Sequence, residues 1–543
     1  MILAALKKSL LARAEPWAKA AGLSLPVDPP IAAPPSGIKA DLCLPWPLAL
    51  AKAAKRPPLA IAQELAEKFT GMVEIDEATA SPPGFVNLRL STAALVANLK
   101  AITIAPASYG KDSSVSKKKI LIEFVSANPT GPLHLASGRG ASLGDSLVRI
   151  LKRLGRDVAA EYYVNDAGKQ VTRLGLSLHA RRHGLQPPED GYQGDYVADL
   201  AKSFPPEADS WTPREFQKAG IEDLLKSQHA DMDAFGVRFD RWFRESELHG
   251  RKALEATLQK LKDRGMVYEK EGAVWLGTTG TAESKDDKDR VLVKADGSAT
   301  YFLADIAYHE DKYARGFHEA IDILGADHHG YVPRMKAAIA ALGHAPESFE
   351  VIIHQLIHLF RGKEAVKMSK RAGDFVRLRE VVDEVGKDAC RFFFALRTPE
   401  SHLNFDLELA KKKSSENPVY YCQYVHARIC SIFREAAKQG LPDAGMTLPN
   451  SRLLNSPEER TILLKLAWFP EVLKECEKLL SPHPLANFLL ELAGLFHPFY
   501  EKCRVAEPKE PEVSQSRLLL CAGVRDIIAQ GLGLLGVSAP QEM

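Results

Sequence analysis

Residues 126–147 read SANPTGPLHLASGRGASLGDSL, with glycines, a histidine and an arginine placed where a helical pattern of apolar residues begins. Gly131, Gly138 and Gly140 let backbone approach a ligand closely, His134 can donate to a phosphate oxygen, and Arg139 adds a positive charge. A second stretch, KMSKR at 367–371, brings Lys367, Lys370 and Arg371 together in a way that could surround a triphosphate. A short basic run is ordinarily a solvated face. Paired with the glycine loop, it points to phosphate chemistry.

The elements that must position these residues are legible on either side. Ile120 to Val125 is apolar and β-branched apart from Glu123 and predicts a buried strand. After the loop, Leu143, Leu147, Ile150, Leu151 and Leu154 recur at helical spacing, Gly155 closes the helix, and VAAEYYV predicts the next strand. This is a βαβ unit, with its loop at the carboxyl end of the first strand. Nucleotides bind at that place in a doubly wound sheet, because the helix N-terminus offers unpaired N–H groups and positive potential.

Further along, residues 165 to about 290 read as a largely helical, charged insertion, and the sheet pattern returns with VLVKADGSATYFLADIAYH, AIDILGADHHGY and FEVIIHQLIHLF. From about residue 409 long helical repeats of apolar positions predict a bundle. At the other end, the prolines of PVDPPIAAPPS stop a first helix, two helices surround Pro57 and Pro58, GFVNLRL alternates as a strand, and SYGKDSSVSKKK marks a linker. The expected architecture is α/β: a doubly wound parallel-sheet domain with an insertion (117–400), an N-terminal α+β domain (1–108) and a C-terminal helical bundle (409–543).

Composition bounds the possibilities without naming a partner. A chain of 543 residues should divide into about two to four domains. It is 45% hydrophobic and 26% charged, and no apolar run reaches the ~18 residues a membrane helix needs, so no membrane association is expected. With 71 basic against 69 acidic residues, the net charge of +2 carries no global signal for nucleic acid. Seven scattered cysteines without a CxxC pair argue against both a disulfide framework and a thiolate zinc site, and lead to an expected cytoplasmic location.

Taken together, the two basic stretches resemble the paired ATP-binding signatures of class I aminoacyl-tRNA synthetases, His-x-Gly-His and Lys-Met-Ser-Lys-Ser. IEFVSANPTGPLH, EYYVNDAGKQV, TYFLADIAYH, GADHHGYVPRM, VKMSKRAGDF, SHLNFDLELAKKKSSENPVYYCQYVHARI and LGLLGVSAP narrow the resemblance to arginyl-tRNA synthetases, over roughly residues 38–543. The resemblance implies that arginine and ATP give arginyl-adenylate, and that the arginyl group then passes to tRNA(Arg). It also implies a Rossmann-type parallel-sheet catalytic domain over 117–400, an N-terminal domain at the tRNA corner, a helical domain at the anticodon, Mg2+ accompanying ATP, and a monomer; no resident metal is expected.

Carried onto this chain, the resemblance assigns ATP to Gly131, Pro132, His134, Ala136, Ser137, Gly138, Arg139, Lys367, Met368, Ser369, Lys370 and Arg371. Catalytic stabilisation of charge on the phosphates is assigned to His134, Ser137, Lys367 and Lys370. A guanidinium is a planar, permanently charged fork, so its pocket needs carboxylates. Glu123 and Asp305 match the family's acids, Tyr301 could stack on the guanidinium plane, and Asn128 could hold the α-amino group. Ser126, His328 and His329 complete the expected arginine site. In the bundle, Asn417, Tyr420, Tyr421, Gln423, Tyr424, His426 and Arg428 combine aromatic and polar groups that could stack on unpaired bases of tRNA.

One departure stands out: the first signature reads His134-Leu135-Ala136-Ser137, so a serine replaces its second histidine and an alanine its glycine. Losing one donor to a developing charge can lower a rate by about 10²–10³. Two rival readings follow, a synthetase paralogue that binds arginine or tRNA as a sensor, and a nucleotidyltransferase of another kind. The long insertion and the bundle count against the second.

Overall fold

The computed structural model describes residues 1–35, 37–112, 118–277, 288–328, 330–366, 376–441 and 453–543. The chain begins with α1 (Ile2–Ala20), β1 (Leu42–Leu44), α2 (Trp46–Ala54), α3 (Pro58–Phe69), β2 (Ile75–Ser81), β3 (Phe85–Leu90) and α4 (Thr92–Ile104). Pro58 opens α3, where a missing N–H does no harm. The three strands form an antiparallel sheet in the order β1-β3-β2. The sequence reading missed β2, an edge strand whose IDEATAS residues are mostly exposed and lack a clear apolar alternation.

The central unit starts with β4 (Lys119–Phe124), α5 (Leu135–Leu154) and β5 (Asp157–Val164), the expected βαβ. Then follow α6 (Lys169–Arg182), α7 (Asp195–Ser203), α8 (Pro213–Ala234), β6 (Arg241–Arg244), α9 (Glu245–Gly250), α10 (Ala253–Asp263), β7 (Val267–Lys270), β8 (Ala273–Leu276) and β9 (Arg290–Val293). The insertion is therefore less helical than expected. Its β6 joins the core sheet beside β5, and β7, β8 and β9 make a small sheet of their own.

Next come α11 (Tyr301–Ala314), β10 (Glu319–Gly325), α12 (Tyr331–Leu342), β11 (Phe349–His354), β12 (Ile357–Arg361), β13 (Glu364–Ala365), α13 (Leu378–Val385), α14 (Lys387–Ala395), β14 (Leu403–Asp406) and α15 (Leu407–Lys411). TYFLADIAYH, expected with the returning sheet, is helical. The Thr300 side chain caps it by accepting from the Leu303 N–H, and Leu303, Ile306 and Ala307 are its buried stripe. Five parallel strands in the order β11-β10-β4-β5-β6 form the core sheet. The order reverses direction between β4 and β10, which opens a crevice at their carboxyl ends.

Helix α5 lies across this sheet and is buried along most of its length. Gly144 brings it close: a Cβ there would stand 2.2 Å from Cγ of Phe124. Gly155 ends the helix at φ 96°, a left-handed conformation that glycine adopts without steric penalty. The chain closes with α16 (Pro418–Lys438), α17 (Pro457–Lys478), α18 (His483–Lys502) and α19 (Pro511–Leu534). Fully buried Arg391 joins this bundle to α5, pairing with Asp145 and donating to the Leu535 carbonyl at 2.7 Å. Among the described residues no helix is long and apolar enough to cross a membrane.

Candidate active site

Strand β4 delivers Glu123 to the crevice. Its KILIEF sequence is buried from the second residue on, as both faces of a parallel sheet are covered. Register then sets Glu123 beside Asp322 on β10. Two neighbouring buried carboxylates need a cation, and Lys312 of α11 supplies it, with its Nζ 2.6 Å from Glu123 Oε2 and 2.7 Å from Asp322 Oδ1. His309 Nε2 lies 2.9 Å from Asp322 Oδ2, and its Nδ1 lies 2.7 Å from the Asp305 carbonyl. Asp305, His309 and Lys312 recur at i, i+4 and i+7, so α11 turns one polar face toward the sheet.

The charges do not balance. Against the burial that opposes its charge, Asp322 and Glu123 hold the Lys312 ammonium charged, with its pKa raised. Against burial, Lys312 and His309 hold Asp322 below the usual carboxylate range, whereas burial outweighs Lys312 at Glu123 and raises it. Asp305 has no ion-pair partner among the described residues. Burial, followed by Glu123 and Glu245, pushes its carboxyl up to about 8. The result is an acidic recess suited to a cation.

Glu123, Asp305, His309 and Asp322 line one cavity of about 350 Å³, together with Val125, Ser126, Ala136, Ser137, Tyr163 and His328. Val125 and Ser126 have φ values of 70° and 41°, conformations rare for residues with a Cβ and most unfavourable for a β-branched one. Ser126 Oγ donates to Glu123 Oε1 at 2.8 Å and accepts the Tyr163 N–H at 3.1 Å, which holds the turn. Helices of the insertion hold the loop beyond it. Gln228 of α8 donates to the Asn128 and Gly131 carbonyls at 3.1 and 2.9 Å, and Tyr196 of α7 donates to the Thr130 carbonyl at 2.7 Å.

The loop leads into the N-terminus of α5, where His134 is the N-cap and the first turn opens on the cavity through Ala136 and Ser137. Burial, then the nearby Arg377, lowers the His134 pKa and favours the neutral imidazole. An isolated bridge joins His134 to Arg377, which sets the loop beside the segment that follows KMSKR. Lys367, Met368, Ser369, Lys370 and Arg371 themselves, like His329, lie outside the described residues.

Of the expected residues, Glu123, Ser126, Asp305, His328, Ala136 and Ser137 meet in the cavity. Others do not. Arg139 is committed inside the protein, outside the cavity wall: its guanidinium donates to the carbonyls of Gln355, Thr398 and Ser401 at 2.7 to 3.0 Å. Gly138 serves packing, since a Cβ there would meet Leu378 Cδ1 at 2.5 Å. Gly131 faces the Tyr196 ring, and the neighbouring Pro132 is half-buried outside the cavity wall. Tyr301, at the start of α11, is exposed near Gly168, while Asn128 donates to Gln170 Oε1 at 2.8 Å on the surface.

The bundle residues divide in the same way. Asn417 is a buried helix cap that donates to the Ala410 and Lys412 carbonyls. Gln423 and His426 are buried against the C-terminal tail, bonded to the Ser538 and Pro540 carbonyls. Those three side chains are committed inward. Tyr424 and Arg428 are exposed, with Tyr420 and Tyr421 half-buried beside them. Tyr424 and Tyr421 lie near-parallel to His497, and Arg428 covers the Tyr500 ring at 4.8 Å.

Sequence reasoning missed His309, Lys312, Asp322 and Gln228. The spacing of Asp305, His309 and Lys312 was a usable signal once YFLAD was read as helix. The others become neighbours only through strand register or through packing of the insertion on the loop.

Comparison with known proteins covers nearly the whole chain. Residues 2–90 match the family described as arginyl tRNA synthetase N terminal domain. Residues 98–395 match tRNA synthetases class I (R), catalytic domain, and residues 422–543 match the DALR anticodon binding domain. An arginine–tRNA ligase of Elusimicrobium minutum is 52% identical over 523 residues, covering 95% of each chain. One from Geobacter sp. is 43% identical over 508 residues, 91% of each chain. The arginyl-tRNA synthetase structure of Thermus thermophilus superimposes with a TM-score of 0.80, at 25% identity and with full coverage of both chains.

Proposed function

The chain belongs to the arginyl-tRNA synthetases, and from that premise we propose how its residues divide the work. It is an arginine–tRNA ligase that uses ATP to attach L-arginine to tRNA(Arg). The arginine carboxylate attacks the α-phosphorus of ATP and pyrophosphate leaves. A hydroxyl of the terminal adenosine of tRNA then attacks the arginyl carbonyl and AMP leaves. The attacking carboxylate is already ionised, so the first step asks for positioning and charge stabilisation more than for a base.

The observation that carries this reading is the uncompensated acidic recess at the sheet's switch point, opposite the N-terminus of α5. The guanidinium enters it and meets Asp305 and Glu123, with Ser126 and His328 at its sides. Tyr301 and Asn128 act from the rim. His134 and Ser137 face the nucleotide phosphates, ATP arrives with Mg2+ on those phosphates, and Lys367 and Lys370 approach from the other side. Tyr420, Tyr421, Tyr424 and Arg428 form the tRNA-facing surface of the bundle. The protein acts as a cytoplasmic monomer, with residues 1–108 at the tRNA corner, 117–400 performing catalysis and 409–543 at the anticodon.

Charging of tRNA(Arg) with labelled arginine tests the reading, comparing the wild type with His134→Ala and Ser137→His. Charging by the wild type that falls by about 10²–10³ in His134→Ala supports it. Absence of charging by the wild type, with activity appearing in Ser137→His, overturns it in favour of a binding protein.

A further inference from the structure

Residues 125–133 belong to neither strand nor helix, so their backbone groups have no ladder to join. Side chains from outside the loop meet them instead. The hydroxyl of fully buried Tyr162, on β5, accepts the Ala127 N–H at 3.1 Å and lies 3.0 Å from the Ala127 carbonyl. Gln228, 1% exposed, spends both amide protons on the loop, at the Asn128 and Gly131 carbonyls, and its Oε1 accepts from the Tyr162 hydroxyl at 2.9 Å. That hydroxyl has one proton and two acceptors within reach, which ties both side chains and the loop into one network.

The identity of Gln228 is unexpected for its place. Phe216, Ile221, Leu224, Leu225 and Met232, buried on the same helix, are all apolar. Burying an amide among them is unfavourable unless it is hydrogen-bonded, and it is the loop carbonyls and Tyr162 that satisfy it. The helix itself is held at both ends. Thr212 caps its start, and past its end the Phe235 and Gly236 carbonyls accept from Arg391 at 3.3 Å and from Arg149 at 3.1 Å. Both arginines pair with Asp145 of α5, so α8 is fixed to the helix whose first turn meets the cavity. A side chain on a helix so anchored places its partners more precisely than one on a loop.

We propose that Gln228 is a positioning residue for arginine: through the Asn128 and Gly131 carbonyls it sets the loop so that Asn128 meets the α-amino group while the guanidinium lies at Asp305 and Glu123. The inference rests on the assignment of the cavity to arginine and of Asn128 to its α-amino end. Gln228 lies outside the cavity wall and acts only through the loop. Its loss should therefore be felt at the amino-acid end of the ligand and not at the guanidinium.

The test measures equilibrium binding of L-arginine, of δ-guanidinovalerate, which lacks the α-amino group, and of butylguanidine, which keeps the guanidinium alone. The wild type is expected to bind arginine at least about tenfold more tightly than δ-guanidinovalerate. Gln228→Met should reduce that ratio to about twofold or less, leave the Kd for butylguanidine within about twofold, and lower kcat for tRNA(Arg) charging by about tenfold or more. Gln228→Glu, which keeps the acceptor for Tyr162 but loses the donors to the loop, should behave like Gln228→Met. Leu225→Ala removes packing from the same helix; it should lower the thermal midpoint and leave the ratio unchanged.

A ratio of two dissociation constants does not depend on how much of a variant is folded, so poor folding cannot imitate the result. A wild type that charges tRNA(Arg) and discriminates, with the ratio kept in Gln228→Met, overturns this inference alone. The same loss of ratio in Leu225→Ala also overturns it, because packing would then suffice. A wild type that charges but binds arginine and δ-guanidinovalerate alike removes Asn128 from the α-amino group, and this inference with it. A wild type that does not charge at all overturns the proposed function.

Discussion

His134 and Arg377 are joined backbone to backbone: around them the Leu135 N–H donates to the Val376 carbonyl at 3.1 Å and the Leu378 N–H to the Leu133 carbonyl at 2.9 Å. Two stretches far apart in sequence thus share one short ladder. The ladder fixes where the chain following KMSKR meets the first turn of α5.

Removing one rung should therefore affect chemistry more than arginine binding. Leu378 is the first residue of α13, where proline is compatible with the helix, so Leu378→Pro deletes an N–H without breaking α13. Leu378→Ala is the control that loses packing and keeps the bond. The expected outcome is a kcat at least about tenfold lower in the proline variant than in the alanine variant, a loss of roughly 1.4 kcal/mol in the transition state. The KM for arginine should be similar in the two. Equal kcat values would refute the role of the ladder.

Asp305 should make arginine use depend on pH. With its carboxyl raised to about 8 in the arginine-free pocket, by burial and then by Glu123 and Glu245, it is protonated below that pH. A guanidinium pairs with the carboxylate, so at lower pH arginine must displace a proton. The kcat/KM for arginine should rise with pH and level off above about 8. Asp305→Asn should flatten the profile and weaken arginine use by about 2–5 kcal/mol. A flat wild-type profile would contradict the assignment.

Lys312→Met removes the cation between Glu123 and Asp322. Breaking a buried ion pair in this way costs about 3–5 kcal/mol. Without the ammonium the folded-state pKa of both carboxyls rises, so the cost is present above their unfolded values and recedes as pH falls and they take up protons. Urea unfolding at pH 7.5 and pH 5 should show a smaller deficit at the lower pH. A deficit independent of pH would mean that packing, and not charge, is what Lys312 provides.

Gly144→Ala should separate packing from chemistry. The added Cβ would overlap the Phe124 ring, and overpacking of this kind typically destabilises by about 1–3 kcal/mol. The thermal midpoint should fall. Pairing the change with Phe124→Leu should recover part of the loss, and an additive double variant would show that the two residues do not meet.

The sequence by itself determined the βαβ unit, because short apolar runs, each interrupted by a single glutamate (Glu123, Glu161), suit a sheet covered on both faces and α5 shows its period plainly. It also determined which residue types could serve phosphate and guanidinium chemistry, since that chemistry admits few alternatives. Only the tertiary structure decided which of them share the cavity. Arg139 looked like a phosphate ligand and became a clamp on three carbonyls, because the fold buried it where backbone oxygens needed donors. Asn417, Gln423 and His426 looked like part of an RNA-facing surface and were turned inward by helix capping and by the C-terminal tail. Lys312 and Asp322 entered the site through strand register and helix packing, relations between distant residues that local spacing does not encode.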